Sequence, residues 1–281
     1  MTLQLAGNGD STPNIVYQLH EPAGETKAAV LLTHGYGEHM ARYDHIVDAW
    51  TEAGVLVANY DLRGHGNSGG PSGHVERFED YLRDLDRVYD ALQDQPAWKK
   101  APKPILFGHS LGALISTRAA MQRPERYAAL TLSSPFFGLG LPVPAIQLAL
   151  GRLLSRFVPR MTQPATINAS DLSHDPEMVR AREADDLVLH RVTLRWFTEV
   201  EGALGALDVQ AASFRLPCYC RAAGADKLVA LDATRRFFSL IQSEIRQLEV
   251  IDGAYHELLN ETDRDEHIAR FAEKFIEYSN A

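Results

Sequence analysis

The residues best suited to covalent chemistry lie in Phe107-Gly108-His109-Ser110-Leu111-Gly112, a G-x-S-x-G motif. A serine hydroxyl is a weak nucleophile at neutral pH. Acyl transfer through Ser110 therefore needs a base to take its proton and an acid to orient that base. An apolar strand precedes the motif and an amphipathic helix follows it, the context of a strained turn that lifts the hydroxyl above a sheet. Its two glycines remove Cβ atoms where such a turn brings backbone close to its neighbours. Without that context, the same five letters would describe an ordinary strand-to-helix turn.

In this arrangement the acid and then the base follow the serine along the chain. Asp226 stands in Ala-Ala-Gly-Ala-Asp-Lys-Leu-Val, just after an apolar strand, and His256 in Asp-Gly-Ala-Tyr-His-Glu, just after the next one. Each candidate follows a strand, so all three converge on one sheet edge. Asp252, four residues before His256, is the competing orienting acid. Of the other histidines, His109 adjoins the serine but is expected to point away, and His65 reads as a brace within the glycine-rich run Asp61–Gly69. His174 and His190 fall in a helical stretch, while His20, His45 and His267 are expected on the surface. The developing oxyanion needs two preorganised N–H donors. Leu111, next after the nucleophile, supplies one, and Tyr36 of His34-Gly35-Tyr36-Gly37-Glu38-His39 is the candidate for the other.

These residues need elements that hold them. Apolar runs at 28–34, 55–60, 104–107, 128–133, 217–223 and 245–251 read as strands buried on both faces. Helical spacing of apolar residues marks 78–93, 111–122, 232–241 and 265–278. Strand and helix in alternation mean βαβ units and a mostly parallel, doubly wound α/β sheet, with its sites at the carboxyl ends of the strands. The alternation breaks between residues 136 and 213, where Pro142, Pro144, Pro159 and Pro164 punctuate helical patterns. This segment reads as a helical insertion, leaving 1–135 and 214–281 as the core. Cys218 and Cys220 lie two apart on one strand face, unsuited to a disulfide, and read as small buried thiols.

Composition narrows the partners. The 281 residues carry 28 basic and 37 acidic side chains, a formal net charge of −9, which argues against a nucleic-acid partner. No apolar run reaches transmembrane length, and the first residues lack a signal-peptide pattern. A cytoplasmic protein with a sizeable core is expected.

The chain resembles the monoacylglycerol lipase and lysophospholipase branch of the α/β-hydrolases. The resemblance rests on HGYGEHMARY (34–43), YDLRGHGNSGG (60–70), GHVERFEDYLRDL (73–85), GHSLGA (108–113), GADKLV (224–229) and AYHELLNE (254–261). It implies a helical cap between the sixth and seventh core strands, and cleavage of one fatty acyl ester from a glycerol-type alcohol. It also implies that Glu38 and Arg42 line the pocket near the alcohol; a salt bridge between them that fixes the loop is an equal reading. Relatives often carry a smaller residue at the position of Tyr36 and Ser-Gly at Met40-Ala41, so head-group preference is not inherited.

The expected function is therefore hydrolysis of a monoacyl lipid, monoacylglycerol or lysophospholipid, through an acyl-enzyme, with no metal or organic cofactor. A short-chain carboxylesterase, a thioesterase, a proline-type aminopeptidase and a non-catalytic binding protein are the alternatives. Residues 145–160 add a basic amphipathic helix, with Arg152, Arg156 and Arg160 spaced by four and no acidic residue. Such a helix can lie in a membrane interface. At rest its apolar side (Ile146, Leu148, Leu150, Leu153, Leu154, Phe157 and Val158) is expected to pack on the acyl tunnel. An opened cap would turn that side to a membrane surface.

Overall fold

The computed structural model describes residues 2–140, 145–165 and 167–280. Pro142 and Pro144 lie outside the described residues. The elements run β1 (Thr2–Leu5), β2 (Ile15–His20), β3 (Ala28–Thr33), α1 (Asp44–Glu52), β4 (Val55–Tyr60), α2 (Glu79–Leu92), α3 (Pro96–Lys100), β5 (Ile105–His109), α4 (Leu111–Gln122) and β6 (Leu130–Ser133). Then come α5 (Ala145–Phe157), β7 (Thr162–Pro164), α6 (Pro176–Glu183), β8 (Arg191–Thr193) and α7 (Leu194–Ala211). β9 (Cys218–Ala223), α8 (Leu231–Leu240), β10 (Arg246–Ile251) and α9 (Arg264–Ser279) complete the chain.

Eight strands form one sheet in the order β1-β2-β4-β3-β5-β6-β9-β10. β1 and β2 are antiparallel additions at one edge, and the six strands from β4 to β10 are parallel. β3 pairs with β4 on one side and β5 on the other. The chain thus reverses its winding between β3 and β5, the kind of point at which open α/β sheets form their sites.

The buried strands feed two cores by the two-residue period of a strand. Ala29, Leu31, Leu56, Ala58 and Leu106 face the core shared with α2 and α4. Their neighbours Val30, Leu32, Val55, Val57 and Phe107 face the core shared with α1 and α9. Phe107, Phe271 and Phe275 surround Trp50, whose indole N–H donates to the Ile268 carbonyl at 2.9 Å. Cys218 and Cys220 share the first core, unpaired and buried, and burial pushes both thiols up, which leaves them inert.

Some local expectations need correction. β1, β2 and α1 have no counterpart in the reading from sequence. The insertion holds a two-stranded antiparallel ribbon, β7 with β8, each strand three residues long. His267, expected at the surface, is 1% exposed. It lies one and two turns from Phe271 and Phe275 on the inward stripe of α9, with Nε2 3.2 Å from Asp263 Oδ1.

The apolar side of α5 also departs from expectation. Ile146, Leu150, Leu153, Phe157 and Val158 face solvent, Phe157 at 76% exposure. α5 instead packs on α7 around Ser155, whose hydroxyl meets that of Thr198 at 3.0 Å. Arg152 pairs with Glu201 and Arg160 with Asp10. Among the described residues, Ser155 is thus the buried residue of this inward side, and those larger apolar groups lie outside.

Candidate active site

Ser110 sits between β5 and α4 with φ +52° and ψ −117°, a conformation that costs a non-glycine residue about 1–3 kcal/mol. Its surroundings enforce it. The Ser110 N–H donates to the Ser133 carbonyl at 3.1 Å, and its own carbonyl accepts from Ala113 at 3.0 Å and Phe136 at 3.0 Å. A Cβ at Gly112 would lie 2.1 Å from the Thr33 carbonyl oxygen, and one at Gly108 would lie 2.4 Å from that of Gly112. Both motif glycines are therefore steric requirements of the turn.

On the same edge, His256 Nδ1 donates to Asp226 Oδ2 at 2.7 Å. Asp226 Oδ1 accepts from the Leu228 and Val229 amides at 2.8 and 3.0 Å, so this carboxylate is held on both oxygens. Asp252 is exposed and takes no part. With Nδ1 carrying the proton, His256 Nε2 is left as the basic nitrogen. Burial works against the imidazolium of His256, but the Asp226 carboxylate outweighs it and holds the pKa above the ordinary imidazole value. Burial likewise penalises the charged form of Asp226, while the His256 charge and bond and the two amides keep it below the ordinary carboxylate range.

His109 does not turn clear of this group. Its ring centroid lies 4.9 Å from that of His256, and its Nδ1 meets the Ser133 hydroxyl at 3.3 Å. β5 extends through His109, and its side chain lies beside His256. Burial pushes it down to about 4, so it stays neutral near pH 7.

The loop after β3 closes against the turn: a Cβ on Gly35 would lie 3.1 Å from that of Ser110. Leu111 opens α4, where helix geometry offers its N–H no carbonyl. Among the described residues, no backbone or side-chain acceptor meets the Tyr36 N–H. The Tyr36 side chain points into packing, donating to Arg191 O at 2.7 Å and lying 4.2 Å from the Trp196 ring. Gly73 makes room for that hydroxyl, since a Cβ there would approach it to 2.4 Å.

Glu38 and Arg42 are brought together in a buried network. Glu38 accepts from the Gly35 N–H at 2.5 Å and the Tyr43 hydroxyl at 2.8 Å, and Arg42 Nε lies 3.4 Å from its second oxygen. Arg42 also reaches Glu257 at 2.7 Å, which pairs with Arg182 of α6 at 3.5 Å. Glu257 and Arg182 escaped notice in the sequence, since no motif spacing links them. Asp61 escaped too: its carboxylate accepts from the Met40 N–H at 2.8 Å and the Asn67 N–H at 2.7 Å, bracing both loops. His65 does serve as a brace, meeting the Arg63 carbonyl at 3.0 Å. Among the described residues, no group of three or more His, Cys, Asp and Glu side chains is arranged to hold a metal.

A doubly wound sheet, with a strained serine at its switch point and a carboxylate-bound histidine on the same edge, defines a serine hydrolase of the α/β-hydrolase fold. Comparison with known proteins narrows this. Residues 24–263 match the hydrolase family described as serine aminopeptidase, S33. A monoacylglycerol lipase of Mycolicibacterium smegmatis is 30% identical over 252 residues, 89% of this chain and 88% of that protein. A Bacillus subtilis phospholipase is 28% identical, covering 85% of this chain and 91% of its own length. The crystal structure of a Paleococcus ferrophilus monoacylglycerol lipase, 26% identical, superposes with a TM-score of 0.85 over 94% of this chain and 99% of its own. The chain belongs to this family, in its monoacylglycerol lipase and lysophospholipase branch, and is a carboxylic ester hydrolase.

Proposed function

We propose that the protein hydrolyses the acyl ester of a monoacyl lipid, a monoacylglycerol or a lysophospholipid, with Ser110, His256 and Asp226 as its catalytic residues. The observation that carries the reading is the 2.7 Å bond from His256 to an Asp226 carboxylate already held by two amides, on the sheet edge that presents Ser110. His256 Nε2 takes the Ser110 proton as Oγ attacks the ester carbonyl. The Tyr36 and Leu111 N–H groups receive the oxyanion, and Asp226 stabilises the imidazolium. His256 then gives the proton to the departing alcohol, and a water activated by the same histidine releases the fatty acid. The choice of lipid ester is supported by the lipase and phospholipase relatives.

Residues 136–213, inserted between β6 and β9, act in this reading as a cap on the core formed by 1–135 and 214–281. The exposed apolar stripe of α5 gives that cap a surface for transient contact with a membrane. No helix of the described residues is long and apolar enough to cross one. Glu38 and Arg42 hold the oxyanion loop in shape, and the alcohol approaches beside them. Labelling by a fluorophosphonate probe tests the core of the reading. The protein should be labelled on Ser110, and Ser110→Ala should lose both labelling and at least about 10⁴-fold in kcat. Retained hydrolysis by pure Ser110→Ala would sink the assignment.

A further inference from the structure

Between the ribbon strand β7 and helix α6, the insertion crosses the two loops that carry Asp226 and His256. Residues 171–175 engage them one after another. Asp171 accepts from Lys227, next to Asp226, at 2.7 Å. The Leu172 carbonyl accepts from the Glu257 N–H, next to His256, at 2.8 Å. Ser173 donates to the Asn260 carbonyl at 2.7 Å, and Asp175 accepts from Arg264 at 2.6 Å.

His174 makes the most informative contact. Its N–H and its Nδ1 both reach the carboxylate of Glu261, at 3.0 and 2.9 Å. That carboxylate is 2% exposed and also accepts from the N–H of Tyr255 at 2.8 Å, fixing the residue before His256. The His174 ring stacks on the Tyr255 ring with centroids 3.7 Å apart, and the Lys227 ammonium lies 4.6 Å from the centroid of the Tyr255 ring. An insertion that needed only a tether could take it anywhere on the core. Here five successive residues bind the segments that carry the acid and the base, and three of them, Asp171, Leu172 and His174, meet the immediate neighbours Lys227, Glu257 and Tyr255.

We propose that residues 171–175 are a positioning strap, with His174 and Glu261 as its working pair, that holds the His256 loop in register with Asp226. The position of the insertion is thereby coupled to the chemistry: lifting the strap frees Tyr255 and slackens the base. None of the strap residues touches the reacting atoms. This inference rests on the assignment of His256 as the base.

The test compares His174→Ala, which loses bond and ring, with His174→Asn, which keeps an N–H donor near the Nδ1 position. The His174 side chain is 46% exposed, so neither change opens a core cavity. The readouts are the fluorophosphonate labelling rate of Ser110, kcat and KM on a short p-nitrophenyl ester, and the melting temperature. Small displacements of a catalytic group lower rates by up to about 10²-fold. His174→Ala should therefore lose roughly 10- to 100-fold in labelling rate and kcat with KM within about twofold, and His174→Asn should recover most of it. Labelling and kcat of His174→Ala equal to those of the parent would overturn the strap, even if the melting temperature fell. No labelling of the parent protein would instead overturn the triad reading itself.

Discussion

At the scale of single residues, the acid–base pair makes a prediction whose sign follows from its electrostatics. In the proposed mechanism protonated His256 cannot take the Ser110 proton, so activity should fall as pH drops through the pKa of His256. Burial favours neutral imidazole, yet Asp226 wins and raises that pKa. The acid limb of kcat/KM should therefore have its midpoint above the ordinary imidazole value of about 6.5. Asp226→Asn should move that midpoint downward and lower kcat by about 10⁴-fold, as removing a triad carboxylate does elsewhere. A pH–rate series on a short soluble ester checks both, and an unmoved midpoint would detach Asp226 from the base. The placement of Ser110, Asp226 and His256 at the carboxyl ends of β5, β9 and β10 was legible in the sequence because each follows an apolar run that reads as a strand. The Glu38–Arg42 pair was one of two readings open in the sequence, but its extension to Glu257 and Arg182 was not legible, since these residues meet across the loop after β3, the His256 loop and α6. Local spacing carries no trace of such a meeting. The inward face of His267 was hidden for a simpler reason: a histidine beside Asp265 and Glu266 reads as part of a solvated stretch until the Phe271 and Phe275 stripe is drawn through it.

At the scale of elements, the turn between β5 and α4 depends on absent side chains. A Cβ on Gly112 would enter the carbonyl oxygens of Thr33 and His34, at 2.1 and 2.5 Å. Both are backbone atoms of the adjoining strand and loop, with no rotamer to yield. Gly112→Ala should cost about 3 kcal/mol, the upper end for overpacking, read as a lowered urea midpoint with an unchanged slope. An unchanged midpoint would contradict this packing of α4 on β3. The central strands were legible because they are apolar throughout, as β3 with all six residues buried illustrates. β2 mixes Gln18 and His20 into an antiparallel edge, so its run is broken. In α1, Ile46, Val47 and Trp50 carry the buried face, but nine residues give the helical period little length to declare itself. β7 and β8, at three residues each, fall below any periodicity, and their pairing is a tertiary fact.

At the scale of the molecule, a net charge of −9 opposes approach to an anionic bilayer, so any contact must be local. α5 offers that locality, with Ile146, Leu150, Leu153 and Phe157 exposed along one stripe. Burying a large apolar side chain is worth about 1.5–3 kcal/mol. Phe157→Glu should accordingly weaken sedimentation with zwitterionic lipid vesicles by about tenfold or more. Equal binding of variant and parent would remove α5 as the contact. The same exposure was not legible beforehand, because an amphipathic pattern reports that a helix has an apolar side and not which way that side turns. The central claim, hydrolysis of a monoacyl lipid ester, is tested most directly by one comparison of kcat/KM. The panel comprises monoacylglycerols of several chain lengths, lysophosphatidylcholine, diacylglycerol and a p-nitrophenyl ester series. A monoacylglycerol or lysophosphatidylcholine should give the highest kcat/KM. Highest kcat/KM on a short p-nitrophenyl ester, with no turnover of either monoacyl lipid, would contradict it.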